Sequence, residues 1–248
     1  MMAFLRLLST ERLKQAKSRI GWLIPISPLL SLAVGLLSQP PEEASQSESF
    51  AVVLSSMSFF HAMLLLPILV GLFASNVCRY EHMGGGWKQL LSLPVTRTKL
   101  YAAKYMMIAW QIAIVQALLA AAAVAVFYVR KMPGELPWDM LLSSALGGWV
   151  ACLPLAALQL GVSLAWSSFA APLAVNIALT LPNILIVNSA QYGPFYPWAQ
   201  PMIAMIPRES NDTFGALGLP LESIMITVAG SFAAFVAAGL IYFKRKAV

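Results

Sequence analysis

The sequence predicts an all-α polytopic membrane protein with six transmembrane helices. Its 248 residues are 59% hydrophobic and only 10% charged, whereas soluble domains carry about 25% charged residues. About 20 residues of helix cross the hydrocarbon core of a bilayer, and the charge-free run Met140–Pro207 is long enough for two such helices with a turn near Ser167 and Ser168. The predicted spans cover residues 20–38, 50–77, 104–129, 140–165, 169–190 and 223–243.

Positive charge is concentrated on one face of this six-helix arrangement. Thirteen Lys and Arg residues fall within residues 1–19, within 79–104 or at the C-terminus, while the other face has three basic and eight acidic residues. Since Lys and Arg are enriched in cytoplasmic loops, both termini are predicted to be cytoplasmic. The formal net charge of +6 therefore indicates a basic membrane face and predicts no nucleic-acid partner.

Residues 1–19 precede the first span and are predicted to form a helix on the inner membrane surface. A frayed basic tail is the alternative for this stretch. A cleaved signal peptide is disfavoured, because Pro25 and Pro28 interrupt the following apolar run and five more spans already commit the chain to the membrane.

The basic loop of residues 79–103 lies between the second and third predicted spans. Within it Trp87, Leu90 and Leu91 recur with helical spacing, so a short amphipathic helix is predicted before Pro94. The apolar face of such a helix has to be covered. Three surfaces can cover it: the lipid headgroups, the rest of the chain or a partner protein.

Groups that could perform chemistry are sparse in this sequence. The charge-free runs contain no ionisable relay of the kind that ion-coupled transporters use, so any transport would draw its energy from outside the lipid. His61 is interpreted as a packed polar side chain, and Cys78 and Cys152 predict neither a disulfide nor a metal site. The chain also lacks a G-x-x-x-x-G-K-[ST] phosphate loop. No enzyme activity, metal or cofactor is therefore predicted on this chain.

Polar residues form a stripe on the fifth predicted span. Asn176, Thr180 and Asn183 recur at i, i+4 and i+7 on an otherwise apolar helix. Such groups commonly bond to neighbouring helices, and the alternative is that they line a substrate path. Both interpretations are open at the level of sequence.

The segment of residues 191–222 follows this span and is rich in proline and aromatic residues. Its prolines interrupt any helix that could cross the bilayer, and its apolar side chains disfavour extension into water. An interfacial or re-entrant element on the outer side is therefore predicted. Its aromatic side chains are expected at headgroup depth, as membrane anchors or as contacts for a peptide. They are Tyr192, Phe195, Tyr196 and Trp198.

The basic loop resembles a known family. The ordered residues Glu81, Gly86, Leu90, Leu91, Pro94, Arg97 and Lys104, between the second and third of six spans, resemble the ABC-2 type permeases of ATP-binding-cassette exporters. Among the branches of this family, the segment EHMGGGWKQLLSLPVTRTKLYAAK is most similar to the exporters that confer lantibiotic immunity and bacitracin resistance. The chain departs from the broad family by having Gly-Trp-Lys where Gly-Thr is more usual, and this departure favours the narrower branch.

The resemblance implies a fold, partners and a function. Residues 1–248 would be one ABC-2 transmembrane domain, and its loop would carry a cytoplasmic coupling helix whose Trp87, Leu90 and Leu91 face touches an ABC ATPase subunit. Glu81 and Arg97 would orient the loop through charge-assisted bonds, and Pro94 would end the helix. ATP and magnesium would be bound by the partner ATPase, and a second permease, of the same or a related chain, would complete the transport unit.

The expected function is a permease subunit of an exporter in the bacterial plasma membrane that removes peptide antibiotic from the bilayer. An ABC-2 permease for another cargo, such as a drug, lipid or ion, is one alternative. A non-transport scaffold or an unrecognised enzyme is the other. The sequence does not choose among cargoes or between a homodimer and a heterodimer of permeases.

Overall fold

In the computed structural model of the protein, residues 2–41, 45–83, 85–92, 94–207, 213–214 and 219–246 are described. The fold is helical in these residues, and the paired strands are two residues long. The α-helices are α1 (Met2–Lys17), α2 (Ile26–Leu37), α3 (Gln46–Phe60), α4 (Leu66–His82), α5 (Gly86–Leu91), α6 (Arg97–Val129), α7 (Trp138–Ala165), α8 (Ala170–Thr180), α9 (Asn183–Ile186), α10 (Gln200–Met205) and α11 (Leu221–Arg245). Two 3-10 turns cover Arg19–Leu23 and Gly193–Phe195, a π-helical turn covers His61–Leu65, and β1 (Thr213–Phe214) pairs antiparallel with β2 (Leu219–Pro220).

Five helical segments among the described residues are long and apolar enough to cross a membrane. They are Arg19–Leu37, Gln46–His82, Arg97–Val129, Trp138–Ala165 and Glu222–Arg245. Each coincides with a predicted span and extends beyond at least one of its ends. The long second segment is continuous because the π-helical turn joins α3 to α4 without a break.

The prediction of a sixth full span over residues 169–190 is not confirmed by this structure. The region Ala170–Ile186 is only 17 residues long, shorter than the roughly 20 residues that cross a bilayer core. It is also divided at Leu181 and Pro182 into α8 and the single turn α9. Proline has no N–H to continue the backbone ladder, so the helix breaks where the sequence places Pro182.

The N-terminal stretch is a helix, and the alternative of a frayed tail is wrong for residues 2–17. α1 packs against the start of α6, where Leu7 is buried in the core. A 3-10 turn then leads into α2, and the Ser18 hydroxyl caps that turn by accepting from the Ile20 N–H. The position of α1 on the membrane surface stays a prediction.

The polar stripe of α8 and α9 bonds inside the chain. Pro67 cannot donate to the carbonyl of Met63, and Asn183 supplies the missing donor through its Nδ2 at 2.9 Å. Asn176 donates to the Pro67 carbonyl at 2.8 Å, and Thr180 donates to the Asn176 carbonyl at 2.7 Å. The broken helix is thus bonded to the irregular part of the second long segment.

All three stripe residues, Asn176, Thr180 and Asn183, are fully buried, which favours the interpretation that they bond to neighbouring helices over the interpretation that they line a substrate path. Asn183 replaces the backbone bond that Pro67 removes, while Asn176 bonds to α4 and Thr180 bonds back within α8. His61 is likewise a packed polar side chain, because its Nδ1 lies 2.7 Å from the Ser27 hydroxyl and the residue is buried.

The segment after α9 packs partly inside the bundle. Every residue of α10 is buried, and α10 lies along α7, where the Ser144 hydroxyl donates to the Met205 carbonyl at 2.6 Å. Tyr192 and Phe195 are exposed, as membrane anchors would be. Trp198 is not: it is 5% exposed and its indole N–H donates to Asn176 at 2.9 Å. Trp198 is therefore covered by the chain rather than exposed as a membrane anchor, and residues 208–212 and 215–218 of the predicted segment lie outside the described residues.

The close approach of α8 to α4 generates a stability prediction. A Cβ atom at Gly71 would lie 2.3 Å from Nδ2 and 2.5 Å from Cγ of the buried Asn176. We expect Gly71→Ala to lower the stability by about 1–3 kcal/mol, the usual cost of overpacking a core. Gly230→Ala is the matched control, because a Cβ there meets nothing within 4 Å. Thermal unfolding in mild detergent measures both, and equal midpoints for the two variants would contradict this packing.

Candidate coupling interface

The loop between α4 and α6 folds back sharply after α4. α4 ends at His82 because Met83 is extended, and Gly85 then adopts a left-handed conformation with φ of 74°. Glycine occupies this region without steric cost. A Cβ at the next residue, Gly86, would lie 2.9 Å from the backbone of Glu81. The glycines therefore allow α5 to start directly against the end of α4.

Trp87 turns toward its own chain. It is 5% exposed, its ring centroid lies 5.3 Å from that of Phe243 on α11, and Lys104 Nζ lies 5.6 Å from the same indole ring. Leu90 and Leu91 are half-buried and pack on the same core. The sequence correctly predicted which side of the α5 helix is apolar. The expectation that Trp87 presents this side to a partner is wrong, because the chain's own helices cover the ring.

A histidine orients the Trp87 ring. The indole Nε1–H donates to Nδ1 of His82 at 3.1 Å, and an indole N–H can only donate. His82 Nδ1 therefore accepts, which leaves Nε2 to donate to the Ser163 carbonyl at 2.8 Å. These two bonds define the neutral Nε2–H form of His82. They connect α5 to the end of α7 through one imidazole.

The C-terminal residues close the other side of this cluster. Lys246 Nζ lies 5.8 Å from the Trp87 ring centroid and donates to the Leu164 carbonyl. Partial burial lowers the pKa of Lys246 below its ordinary value, because desolvation disfavours the charged amine. The cluster around Trp87 therefore includes side chains from α4, α6, α11 and the C-terminal segment.

Four charged side chains form a closed ring beneath the loop. Lys14 Nζ lies 2.9 Å from Glu11 and 2.6 Å from Glu81, and Lys104 Nζ lies 3.1 Å from Glu11 and 2.9 Å from Glu81. Each lysine thus bridges both glutamates, and the formal charges cancel. We call this group the Glu11–Lys104 ring. It joins α1 to the end of α4 and to the first turns of α6.

The ring is buried, which determines its energetics. The side chains of Glu11 and Lys104 have no exposed area and that of Glu81 is 3% exposed, while that of Lys14 is 26% exposed. Lys104 also donates to the Val77 carbonyl at 2.7 Å. A buried pair is weak evidence for added stability, but removing one partner leaves an uncompensated charge. The ring therefore fixes which three helices meet at this point.

Arg97 holds the other end of the loop. Its guanidinium donates to the carbonyls of Phe243, Lys244 and Lys246 at 2.7, 3.1 and 2.6 Å. The last carbonyls of a helix have no partner within the helix, and Arg97 supplies donors for them at the end of α11. Thr96 meanwhile caps the start of α6 by accepting from the Lys99 N–H.

The outward side of the loop is polar. Lys88, Gln89, Ser92 and Pro94 are exposed, and they lie opposite the covered Trp87. A partner protein that meets α5 thus meets the polar side of the helix. The three stripe residues, Asn176, Thr180 and Asn183, are not part of this surface. They are buried where α8 and α9 pack against the second long segment and Trp198.

Sequence reasoning identified Glu81 and Arg97 at this site and did not predict that Glu81 forms a ring with Glu11, Lys14 and Lys104. A signal was available, because Glu11 is the only acidic residue within residues 1–19 and stands three positions before Lys14. The pairing of Glu11 with Lys104 spans 93 residues, and no local pattern predicts it. Among the described residues, no group of three or more His, Cys, Asp or Glu side chains could hold a metal ion.

The comparison with protein families covers the loop and the Glu11–Lys104 ring but not α11 or the C-terminal residues. Residues 7–183 match the family described as ABC-2 family transporter protein, and this range is well over half of the 248 residues. The chain belongs to the ABC-2 transporter family. The matched range contains α1, the Glu11–Lys104 ring and α5, and it ends at Asn183. No curated protein matches the chain.

Family membership establishes the general role of the chain. ABC-2 transporter proteins are membrane components of ABC transporters, so this chain is a multi-pass membrane protein that works with an ATPase partner. In this ABC-2 protein, the polar side of α5 and the Glu11–Lys104 ring beneath it are formed by segments that are distant in the sequence.

The ring makes a sharp prediction for this ABC-2 protein. We expect Lys104→Met to lower the stability by about 3–5 kcal/mol, because both buried glutamates would then share only Lys14. Lys104→Arg keeps the charge and should be less damaging. Lys99→Met is the control, since Lys99 is exposed on the same helix and its loss should cost less than about 0.5 kcal/mol. Thermal unfolding of the purified variants measures the difference, and a Lys104→Met protein as stable as Lys99→Met would contradict the ring.

Proposed function

We propose that this chain is the permease subunit of an ATP-driven exporter and that α5 is its coupling helix. The observation that carries this proposal is the attachment of the loop: the Glu11–Lys104 ring holds one end, Arg97 holds the other, and Trp87 fixes the helix between them. A loop attached in this way moves with α1, α6 and α11. A push on α5 by an ATPase would thus reach the membrane helices.

The partner meets the outward side of α5. Lys88, Gln89 and Ser92 are the exposed residues of this short helix and its C-cap. Glu81, Trp87, Arg97 and the half-buried Leu90 and Leu91 support the helix from behind, and Pro94 lies exposed beyond it. This arrangement revises the sequence prediction, in which the Trp87, Leu90 and Leu91 face of the helix touched the partner.

The charge distribution supports a cytoplasmic position for this site. The basic loop, α1 and the C-terminal residues are in contact through the ring and Arg97, so the segments that carry thirteen of the sixteen basic residues lie at the same end of the bundle. By the tendency of Lys and Arg to stay inside, both termini would be cytoplasmic in a bacterial plasma membrane. ATP and magnesium would be bound there by the ATPase subunit.

A second permease completes the unit in this proposal. Among the described residues, the polar stripe of α8 and α9 is buried and bonded internally and does not line a path. A path for a cargo would then form between two permeases, either two copies of this chain or this chain and a related one. α11 exposes large apolar side chains such as Met225 and Ile226, which such a neighbour or lipid would cover.

Peptide antibiotic is the proposed cargo. The resemblance of the loop to the lantibiotic-immunity and bacitracin-resistance branch supports this choice, and an amphipathic peptide in the bilayer can reach a permease from the membrane. Another cargo, such as a drug, lipid or ion, is the second candidate within the same family. A scaffold without transport is disfavoured by the family match.

Retention of the ATPase tests the outward side of α5. We expect the double variant Lys88→Glu/Gln89→Glu to weaken binding of the co-expressed ATPase at least tenfold, equivalent to about 1.4 kcal/mol, because it reverses the charge of the contact. Lys17→Glu is the control, since Lys17 is exposed on α1 outside the loop. Pull-down of the folded, tagged permease measures retention. The same retention for the double variant and wild type would remove the coupling role from this surface.

Cargo is tested with the permease and its ATPase in proteoliposomes. We expect a lantibiotic to raise ATP hydrolysis in a concentration-dependent way, because a transported substrate engages the two-permease path and is coupled to the ATPase. Small cationic drugs of similar charge should not raise it. Stimulation by the drugs and not by the peptide would favour the second cargo class and contradict peptide export.

A further inference from the structure

A large groove opens between α6 and α7 and reaches α1. It has a volume of about 1200 Å³, and on α6 it extends from Tyr105 to Ala120, about 22 Å at 1.5 Å per residue. Apolar side chains form its walls, and several are exposed: Met106, Trp110, Leu142 and Leu146. The groove is therefore longer than one leaflet of a hydrocarbon core about 30 Å thick.

The charge of this groove is confined to one end. Arg12 on α1 is the only charged residue among the lining residues. It is exposed and makes no ion pair within the part of the chain that the structure describes. Lys14, two positions later, is held in the Glu11–Lys104 ring. Arg12 thus offers a free guanidinium at the end of a long apolar surface.

We propose that the groove binds one phospholipid with an anionic headgroup, in the leaflet on which α1 lies. The acyl chains would lie against α6 and α7, and the headgroup phosphate would meet Arg12. A guanidinium presents a planar set of N–H donors that matches a phosphate in a bidentate way. The groove has its charge at one end and apolar walls beyond it. A phospholipid has the matching arrangement, with a charged headgroup at one end and apolar acyl chains beyond it.

The same features disfavour two other occupants. A cationic peptide would bring positive charge to Arg12, and no acidic residue is among the described residues that line the groove. A helix from a second copy would have to place an acidic side chain at Arg12, whereas Glu11 and Glu81 at this end of the described bundle are already held in the ring. The lipid site does not depend on the transport function proposed above.

Native mass spectrometry tests the headgroup contact. The full-length protein is released from nanodiscs that contain equal amounts of phosphatidylglycerol and phosphatidylcholine, and retained lipids are counted. We expect wild type to retain phosphatidylglycerol preferentially and Arg12→Gln to lower this preference about fivefold, which corresponds to about 1 kcal/mol for one basic residue at an anionic surface. Arg6→Gln is the matched control, because Arg6 is exposed on the same helix but does not line the groove. Equal losses in the two variants would overturn the site.

Filling the groove tests the acyl-chain contact. Ala117→Trp places a large ring in the groove, and Ala125→Trp places one at an exposed alanine of α6 outside it. We expect only Ala117→Trp to reduce the number of retained lipids. If Ala117→Trp instead leaves lipid retention unchanged and abolishes a dimer, the groove is an interface between copies and the proposal is wrong.

Discussion

The Glu11–Lys104 ring is the constraint on which the cytoplasmic end of this fold depends. It brings together residues that are up to 93 positions apart in the chain and leaves little of their charge in contact with solvent. Buried charges are tolerated only when they are paired and bonded. The ring therefore excludes arrangements in which α1, α4 and α6 shift relative to one another, since each such shift would separate a glutamate from a lysine.

The position of α5 follows from this constraint. The ring fixes Glu81 near the end of α4, and the glycines after it return the chain so that Trp87 packs over Lys104. At the other end, Arg97 bonds to the terminal carbonyls of α11. Because both ends and the middle of the loop are attached, α5 cannot move independently of the membrane helices. Attachment of this kind is what transmission of force from an ATPase requires.

Hydropathy predicted the long helices well, because the thickness of the hydrocarbon core sets their length and leaves a clear pattern in the sequence. Over residues 169–190 it predicted one continuous span, because apolar composition continues through the break at Pro182 that divides α8 from α9. The break is stable because Asn183 and Asn176 bond to carbonyls near Pro67, and such bonds join positions more than a hundred residues apart. The sequence therefore predicted the stripe and offered bonding to a neighbouring helix as one of its two roles, but it did not identify the carbonyls that the stripe contacts.

The loop shows a second limit of prediction from sequence. The spacing of Trp87, Leu90 and Leu91 correctly predicted a short helix with an apolar side, but periodicity does not say what covers that side. Phe243 and Lys104 cover the Trp87 ring, and both come from helices that are distant in the sequence. The ring of charges was missed for the same reason, since Glu11 and Lys104 become neighbours only after folding.

A double-mutant cycle between Glu11→Gln and Lys104→Met tests the central claim most directly. The two residues meet at 3.1 Å and have no exposed side-chain area. If the ring holds the helices together, each single variant leaves an unbalanced buried charge, and the double variant should lose at least about 1 kcal/mol less stability than the sum of the single losses. Losses that add within about 0.5 kcal/mol would show that the two residues are not energetically coupled, and would contradict this account.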